Sequence, residues 1–394
     1  MTDVARRFRN HAIPRILTCM AALTLLVGTA AQAREASTFT ISSEPEVVYR
    51  WKTQRCDTKT IPDSPARAYR REDGSLVMIA SHFNNRIFEG RDFDDLRPNC
   101  SVQSMGKESA NPADLDDRFW VQSLIPLGGG RVMAMASHEF LGTRHAGVCE
   151  KGAPWPSCWY LSVVGLEADE RDFAFKLLPR DQRMIAGSNQ RFDPSVKAGG
   201  FHTVTNTVFD GDYAYFMAWT EDAAVPGGKG NCLFRAPRSD LVNGWQMLSK
   251  GQFVHSPDPY PTDGQAPIQA SCDRLGGPDM AGKARSIVWL EGRKQWMVVW
   301  SSRANADGPG IYYATSDDLR NWSLASLLAP LAPFWGTKET GTFYEYPSLI
   351  DHGSKSQIFQ TVGNNFYLYL TRLNWEEKRA LMDRDLVRFK VTVD

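Results

Sequence analysis

Carboxylate side chains next to predicted strands are the first candidates for chemistry in this chain. Glu139 lies in the segment SHEF (137–140), and Glu345 lies between two tyrosines in YEYPS (344–348). Partial burial beside aromatic rings raises the pKa of a carboxyl group. Acid/base hydrolysis needs one carboxyl that stays protonated and a second that stays ionised. Glu139 and Glu345 are therefore the favoured pair.

Further polar side chains lie at the ends of the same predicted strands. Asp63 and Asp117 precede strands and are two more catalytic candidates. Contact with a bound ligand is expected of His138, His202, Arg67, Arg303, Glu221 and Trp375. Each has a structural alternative, because a carboxylate at a strand end often bonds loop amides or an arginine, and a histidine often fills a buried hydrogen-bonded position.

Several other chemistries are excluded by spacing. Position 142 is glycine, so His138 and Glu139 do not form the H-E-x-x-H zinc motif, and no cysteine has histidine partners at zinc spacing. Phosphate-binding loops of the G-x-x-x-x-G-K type are absent from the sequence. No metal site and no cofactor are expected.

The charge balance restricts the partners. The 394 residues include 45 basic and 45 acidic side chains, which argues against a polycationic nucleic-acid-binding protein. With 42% hydrophobic residues and 12 tryptophans, the chain can bury a large core. A globular protein without a nucleic-acid partner is predicted.

The first 33 residues read as a cleaved secretory signal peptide. Four arginines precede an apolar run over 16–31, and Ala-Gln-Ala (31–33) is a small-x-small cleavage site. The mature chain, 34–394, is then expected in the periplasm or outside the cell, free of the membrane. Its six cysteines suggest disulfides; Cys149 with Cys158 is the favoured pair, and the other pairings stay open.

A repeat of about 72 residues predicts the architecture that positions the candidate residues. Five segments combine an extended apolar stretch, a polar stretch and an aromatic residue, and their anchors are Leu96, Phe173, Leu241, Leu319 and Leu386. Asp-Gly turns between apolar runs, as at 73–74 and 210–211, predict hairpins in the same units. The prediction is an all-β fold, a five-bladed β-propeller of four-stranded antiparallel blades that forms one monomeric domain over 34–394. A β-sandwich or a pair of barrels would not explain the period.

Two segments carry a resemblance to a known group of proteins. IYYATSDDLRNWS (311–323) and YEYPSLID (344–351) resemble the blade signatures of secreted five-bladed glycosidases, the arabinanase, β-xylosidase and invertase-like families. The resemblance implies hydrolysis of an oligo- or polysaccharide by acids on the inner strands of the first three blades. Asp63 and Asp117 match the first two acids, but the third inner strand, 202–209, has no carboxylate. Glu221, Glu139 or Glu345 would then substitute. The resemblance also admits an axial calcium ion, for which no Asp-x-Asp-x-Asp loop is present.

Other functions remain open at this point. The missing third acid fits a non-catalytic propeller that binds a carbohydrate or an envelope partner. A sialidase-like enzyme would use an arginine cluster, here Arg67, Arg285 and Arg303, with Tyr344 or Tyr346 beside Glu345. A lyase or another sugar-modifying enzyme is a third alternative.

Overall fold

A computed structural model of the chain describes residues 39–394, apart from 151, 155, 196, 222–227, 265–268, 277–278, 338 and 377–381. The predicted signal peptide, 1–33, lies outside the described residues. In the described part, the helical segments are short, among them the single turns α1 (Trp51–Gln54) and α2 (Arg180–Arg183) and the 3-10 turns Pro112–Asp114 and Gly142–Arg144. The prediction of an all-β chain is confirmed.

The strands fall into five groups along the chain. Two strands come first, β1 (Phe39–Ile41) and β2 (Glu46–Tyr49). Group one holds β3 (Arg67–Arg70), β4 (Leu76–Ile79), β5 (Ile87–Gly90) and β6 (Arg97–Pro98). Group two holds β7 (Arg118–Gly128), β8 (Arg131–Leu141), β9 (Trp159–Asp169), β10 (Lys176–Leu177) and β11 (Met184–Ala186). Group three holds β12 (Ala198–Val204), β13 (Val208–Asp210), β14 (Tyr213–Glu221), β15 (Lys229–Pro237), β16 (Gln246–Ser249), β17 (Gln252–His255) and β18 (Arg274–Leu275). Group four holds β19 (Ser286–Leu290), β20 (Gln295–Ser302), β21 (Gly310–Ser316) and β22 (Ser326–Ala329). Group five holds β23 (Gly341–Ile350), β25 (Asn365–Trp375) and β26 (Arg384–Val393). The short strand β24 (Thr361–Val362) lies between β23 and β25 in the chain but pairs parallel with β19, in the sheet of group four.

Hydrogen bonds join these strands into four sheets, because groups two and three form one twelve-stranded sheet. A short parallel pairing of β9 with β12 fuses them, from Ala198 opposite Trp159 to Gly200 opposite Leu161. Gly200 has φ +94°, and a Cβ there would lie 1.9 Å from the Leu161 carbonyl oxygen, so this close approach requires glycine. The strand pairing alone therefore does not confirm five separate four-stranded blades.

The two ends of the described chain meet in the sheet of group five. β1 and β2 both pair antiparallel with β26, and Phe39 lies opposite Val393. The order within this sheet is β1, β26, β25, β23, with β2 also on β26. The first described strands, β1 and β2, thus complete the sheet that β23, β25 and β26 form near the end of the chain.

Apolar side chains pack between the groups in a cyclic order. One cluster joins groups one and two through Tyr69 and Phe119, and another joins groups two and three through Met133 and Phe216. Comparable clusters link group three to four, four to five, and five back to one. Each group buries both faces, so the hydrophobic effect holds neighbouring groups together.

The predicted repeat anchors are all buried, and the predicted hairpins form. Leu96, Phe173, Leu241, Leu319 and Leu386 are each at most 9% exposed. β3 pairs with β4 and β13 with β14 across the predicted turns. The repeat therefore marks residues that pack between sheets.

Three cysteine pairs lie at disulfide distance. Cys149 and Cys158 form one of them, with 6.5 Å between their Cα atoms, as the sequence predicts. The pairings that the sequence left open are Cys56 with Cys100 and Cys232 with Cys272.

Candidate active site

A pocket of about 580 Å³ collects side chains from groups two to five and from the loop before group one. Its acids are Asp63, Glu139 and Glu345, and its cations are Lys283, Arg285, Arg303 and Arg384. Four tryptophans also line it: Trp120, Trp159, Trp219 and Trp335. Carboxyl groups, cations and aromatic rings in one cleft are the usual composition of a site that binds and transforms a polar ligand.

Asp63 lies in the loop before β3, and hydrogen-bond donors surround both of its oxygens. The Tyr346 hydroxyl donates to Oδ1 at 3.0 Å, and so does the Arg384 guanidinium. The Trp120 indole donates to Oδ2 at 3.1 Å, and His82 Nδ1 lies 2.7 Å from the same oxygen. Burial alone would raise the pKa of Asp63, but the charge of Arg384 and the His82 contact outweigh burial and hold that pKa well below its usual range. Asp63 is a fixed anion.

Glu139 lies near the end of β8, opposite Arg118 on one side and Leu161 on the other. The Trp159 indole donates to its Oε2 at 3.0 Å. Burial raises the pKa of Glu139 to about 7; the Trp159 hydrogen bond opposes the shift, and the charge of Asp63 adds to it. Glu139 can therefore hold a proton near neutral pH and release it.

Glu345 lies on β23 and is 2% exposed. The Ser301 hydroxyl donates to its Oε2 at 2.6 Å, and the Trp335 backbone N–H donates to its Oε1 at 3.0 Å. Each carboxylate oxygen accepts one hydrogen bond from a described residue, so each retains a lone pair that can face a ligand.

Strand bulges direct three further side chains into the pocket. The pairing register shifts at Gln122 on β7, at Thr203 on β12 and at Tyr346 on β23. All three residues line the pocket, and Thr203 and Tyr346 both have φ +58°. A bulge inserts an extra residue and re-aims the side chains around it, and such bulges are common next to active sites.

Of the ligand contacts expected in group three, His202 lines this pocket, whereas Glu221 is not among its lining residues. Glu221 Oε2 is 2.7 Å from Lys229 Nζ, and its Oε1 is 3.5 Å from His202 Nε2. Burial would raise the pKa of Glu221, yet the His202 and Lys229 contacts lower it below its usual range. Burial lowers the pKa of His202 to about 3, so this pocket-lining imidazole is neutral. Arg303 also lines the pocket and donates to the Pro333 carbonyl at 2.7 Å.

Two sequence candidates from group two do not line the pocket. Asp117 is 1% exposed; its Oδ2 accepts from the Leu141 backbone N–H and lies 2.9 Å from His145 Nε2. His138 is fully buried, its Nε2 accepts from the Asp117 backbone N–H at 3.1 Å, and burial lowers its pKa to about 3. Both side chains accept hydrogen bonds from backbone N–H groups. This is the structural alternative considered from the sequence.

Arg67 also lies outside the pocket lining, where it ties the strand groups together. Its guanidinium donates to the carbonyls of Gln122, Val204 and Arg285 at 2.6, 3.3 and 2.5 Å, and to the Ser348 hydroxyl at 3.1 Å. These partners belong to or border groups two, three, four and five. A calcium ion does not fit among these oxygens, because the Arg67 guanidinium already lies there and uses the oxygens that calcium would need.

Trp375, the last of the predicted ligand contacts, packs away from the pocket. It lies against a small apolar cluster of Phe334, Phe343 and Leu373, with 5.0 Å between its ring and that of Phe334. Trp335, on the other side of Phe334, is the exposed ring that lines the pocket.

Several pocket residues were not singled out from the sequence. Trp120, Trp159, Trp219, Lys283 and Arg384 line the pocket but belong to no motif that marks a site. The alternation of β7 offered one usable signal, because Trp120 and Gln122 face the pocket while Phe119 and Val121 are buried in the core.

Within the described residues, no group of three His, Cys, Asp or Glu side chains is arranged to hold a metal ion, and no helix is long and apolar enough to cross a membrane.

Comparison with known proteins identifies similar folds but no family. No family model and no curated protein matches the chain. A protein of unknown function from Dyadobacter fermentans is 10% identical with a TM-score of 0.51, over 90% of this chain and 99% of the other. The catalytic domain of a GH62 α-L-arabinofuranosidase from Coprinopsis cinerea is 11% identical (TM-score 0.49, 90% and 96% covered). An α-L-arabinofuranosidase from Podospora anserina, solved with cellotriose, is 10% identical (TM-score 0.48, 88% and 95% covered).

Two of these neighbours are named as arabinofuranosidases, and glycosidases are also the group that the sequence resembles. At identities of about a tenth, the likeness concerns the fold alone, and it is the Dyadobacter fermentans protein that carries it. Activity has to be inferred from the pocket itself.

Proposed function

We propose that this chain is an exported glycoside hydrolase with the fold of a five-bladed β-propeller, each strand group forming one blade. The cyclic order of the apolar clusters supports a closed ring, because the last cluster joins group five back to group one. The twelve-stranded sheet is then two blades fused by the short ladder at Gly200. The three cysteine pairs support an oxidising compartment, the periplasm or the cell exterior.

Glu139 is the proposed general acid. Glycoside hydrolysis requires a protonated carboxyl that donates to the leaving oxygen. With its pKa raised to about 7, Glu139 carries that proton near neutral pH. The negative charge of Asp63 contributes to keeping it protonated. The raised pKa of Glu139, in a pocket that also holds the carboxyl group of Glu345, is the observation that carries the proposal.

Glu345 is the proposed second carboxylate, which either attacks the sugar or removes a proton from water. Asp63 is a weaker candidate, since four donors already surround its two oxygens. Each oxygen of Glu345 accepts one described hydrogen bond and can accept another. Asp63 instead orients Tyr346 and Arg384 and provides fixed negative charge near a cationic transition state.

The aromatic residues of the pocket suit a sugar. Trp335 is 49% exposed at the pocket, which leaves its ring face available to stack on the apolar face of a pyranose or furanose ring. A neutral polar wall, such as Gln122 and His202, offers hydrogen bonds to hydroxyl groups. An oligo- or polysaccharide is therefore the proposed substrate.

The test is a panel of aryl glycosides and polysaccharides with the purified protein and its Glu139→Gln and Glu345→Gln variants. Loss of an acid or base lowers kcat/KM by about 10²- to 10⁴-fold. For Glu139→Gln the loss should be smaller on substrates with activated leaving groups, which need no proton. Asp117→Asn is the matched control, a buried acid outside the pocket, and should retain kcat. Full activity in both glutamate variants would refute the assignment.

A second function is favoured by one observation. β12, in the third strand group, carries no carboxylate, and the nearby Glu221 is held by Lys229. A propeller that binds a glycan without cleaving it would bind members of the same panel and turn over none. The sialidase-like alternative is disfavoured, because burial raises the pKa of the Tyr344 hydroxyl, and that of Tyr346 well above its usual value, which makes both poor nucleophiles.

A further inference from the structure

Arg285 has a guanidinium inside the pocket that the described part of the chain leaves without an anion. It is 6% exposed and lines the pocket, just before β19. No described residue forms a hydrogen bond or an ion pair with its side chain, and its buried Nε is without a partner there. Its nearest described ring is Tyr346, at 4.9 Å from the guanidinium carbon to the centroid. A buried charged group without a hydrogen-bond partner is costly unless a ligand supplies one.

Lys283, two residues earlier, adds a second positive charge that is only partly compensated. Its Nζ lies 3.7 Å from Glu221 Oε1. Glu221 is shared, because its Oε2 is 2.7 Å from Lys229 Nζ. Burial and the neighbouring charge of Arg285 lower the pKa of Lys283 to about 8. Lys283 and Arg285 are thus two positive charges that repel each other where they line the pocket.

The two acids whose charges act on Arg285, Glu345 and Asp63, form no described ion pair with it. Asp63 is bonded to Arg384, Tyr346, Trp120 and His82. Glu345 accepts from the Ser301 hydroxyl and the Trp335 backbone N–H. Their charges stabilise the guanidinium at a distance, but they leave its N–H donors free to meet a ligand.

We propose that Arg285 and Lys283 bind a carboxylate carried by the sugar in this pocket, so that the ligand is a glycan containing uronic acid. A guanidinium fork matches a carboxylate with two parallel hydrogen bonds, and an ammonium beside it adds charge. The carboxylate of the sugar would then lie at Arg285 and Lys283, and the sugar ring would lie near Trp335. This inference rests on the proposed function for its choice of a sugar, and it names the substrate class.

The experiment measures binding, not turnover, so that the two proposals can fail separately. Glu139→Gln protein is titrated by calorimetry with oligosaccharides of galacturonic or glucuronic acid and with their methyl esters, which keep the ring and remove the charge. At least one acid is expected to bind ten-fold or more tightly than its ester, a difference of about 1.4 kcal/mol. Arg285→Met in the same background should abolish this preference, and Arg285→Lys should restore part of it.

Lys283→Met provides a second variant at a less buried position, in case Arg285→Met does not fold, and should reduce the preference several-fold. Lys390→Met, an exposed lysine on β26, is the control and should retain it. Equal affinity for acid and ester, no binding of either, or a preference unchanged in both pocket variants would overturn the inference. Binding of sulfated sugars in place of carboxylated ones would also overturn it. A retained preference in a protein that hydrolyses no glycoside would refute only the proposed activity.

Discussion

Replacing Glu139 with glutamine should stabilise the protein more at alkaline pH than at acidic pH. The pKa of Glu139 is ordinarily 4.5 and is raised to about 7 in the folded chain. Between these two values the folded state binds more protons than the unfolded state, so the free energy of unfolding falls as pH rises. Above pH 7 the full penalty of ionising this buried group is present. Below pH 4.5 it is absent.

The size of the effect follows from the shift. One pKa unit corresponds to about 1.36 kcal/mol, so a shift from 4.5 to about 7 corresponds to about 3 kcal/mol. Because Glu139 borders a solvent-filled pocket, some of this is relieved by water, and we expect about 2 to 3 kcal/mol. The Trp159 hydrogen bond and the distant charges of Lys283 and Arg118 are already included in the net shift.

The assay is guanidinium-induced unfolding of the native and Glu139→Gln proteins at pH 5 and pH 8.5, at matched ionic strength. The stability of the variant relative to the native protein should increase by the stated amount between the two pH values. Activity gives an independent reading, since kcat/KM on an unactivated glycoside should fall above about pH 7 as the same group ionises. A relative stability that does not change with pH would show that Glu139 titrates normally and would remove it as the general acid.

Three further perturbations have expected outcomes. Asp63→Asn should destabilise the fold at neutral pH by about 3 to 5 kcal/mol, since it removes a buried negative charge that accepts hydrogen bonds from Arg384 and Tyr346. The deficit should shrink as pH falls below about 4, where the lowered pKa of Asp63 ceases to contribute, and a constant deficit in urea unfolding would contradict this. Arg67→Met should leave three carbonyl oxygens without the donor that Arg67 supplies, at a cost of about 1 to 3 kcal/mol each. Removal of a buried charge should offset part of this cost. An unchanged Tm would refute the role of Arg67 in holding the strand groups together. Removing the Cys56–Cys100 pair by a double serine substitution should cost about 4 kcal/mol for a separation of 44 residues, and calorimetry without that loss would contradict the pairing.

The sequence predicts the elements well because their signals are local. Asp-Gly turns fix the hairpins of β3 with β4 and of β13 with β14, and the repeat anchors fill the space between groups. These features depend on a few neighbouring residues and on apolar burial. The fusion of groups two and three depends on Gly200 approaching Leu161, residues 39 positions apart, and no local pattern contains that contact.

The site was predicted less completely, because the direction of a side chain depends on register. Asp117 and Glu139 both lie at the same end of the β7–β8 pair, yet Glu139 faces the pocket and Asp117 faces His145. Glu221 was placed near the pocket, but its cross-strand neighbour Lys229 holds it in an ion pair. Neither difference can be read from residue type or spacing.

The bulges of the inner strands explain why the missing third acid does not by itself decide the function. A strict two-residue alternation along β12 and β23 would fix which side chains face the pocket. Thr203 and Tyr346 interrupt it, in a backbone region that costs non-glycine residues about 1 to 3 kcal/mol. After each interruption the neighbouring residues change faces, so an acid needed at the pocket wall can come from a different strand. Glu139 at the end of β8 and Glu345 beside the Tyr346 bulge both line the pocket and are the proposed acids. The acids of the pocket therefore come from strands other than β12. Acid/base hydrolysis in this pocket does not require a carboxylate on β12.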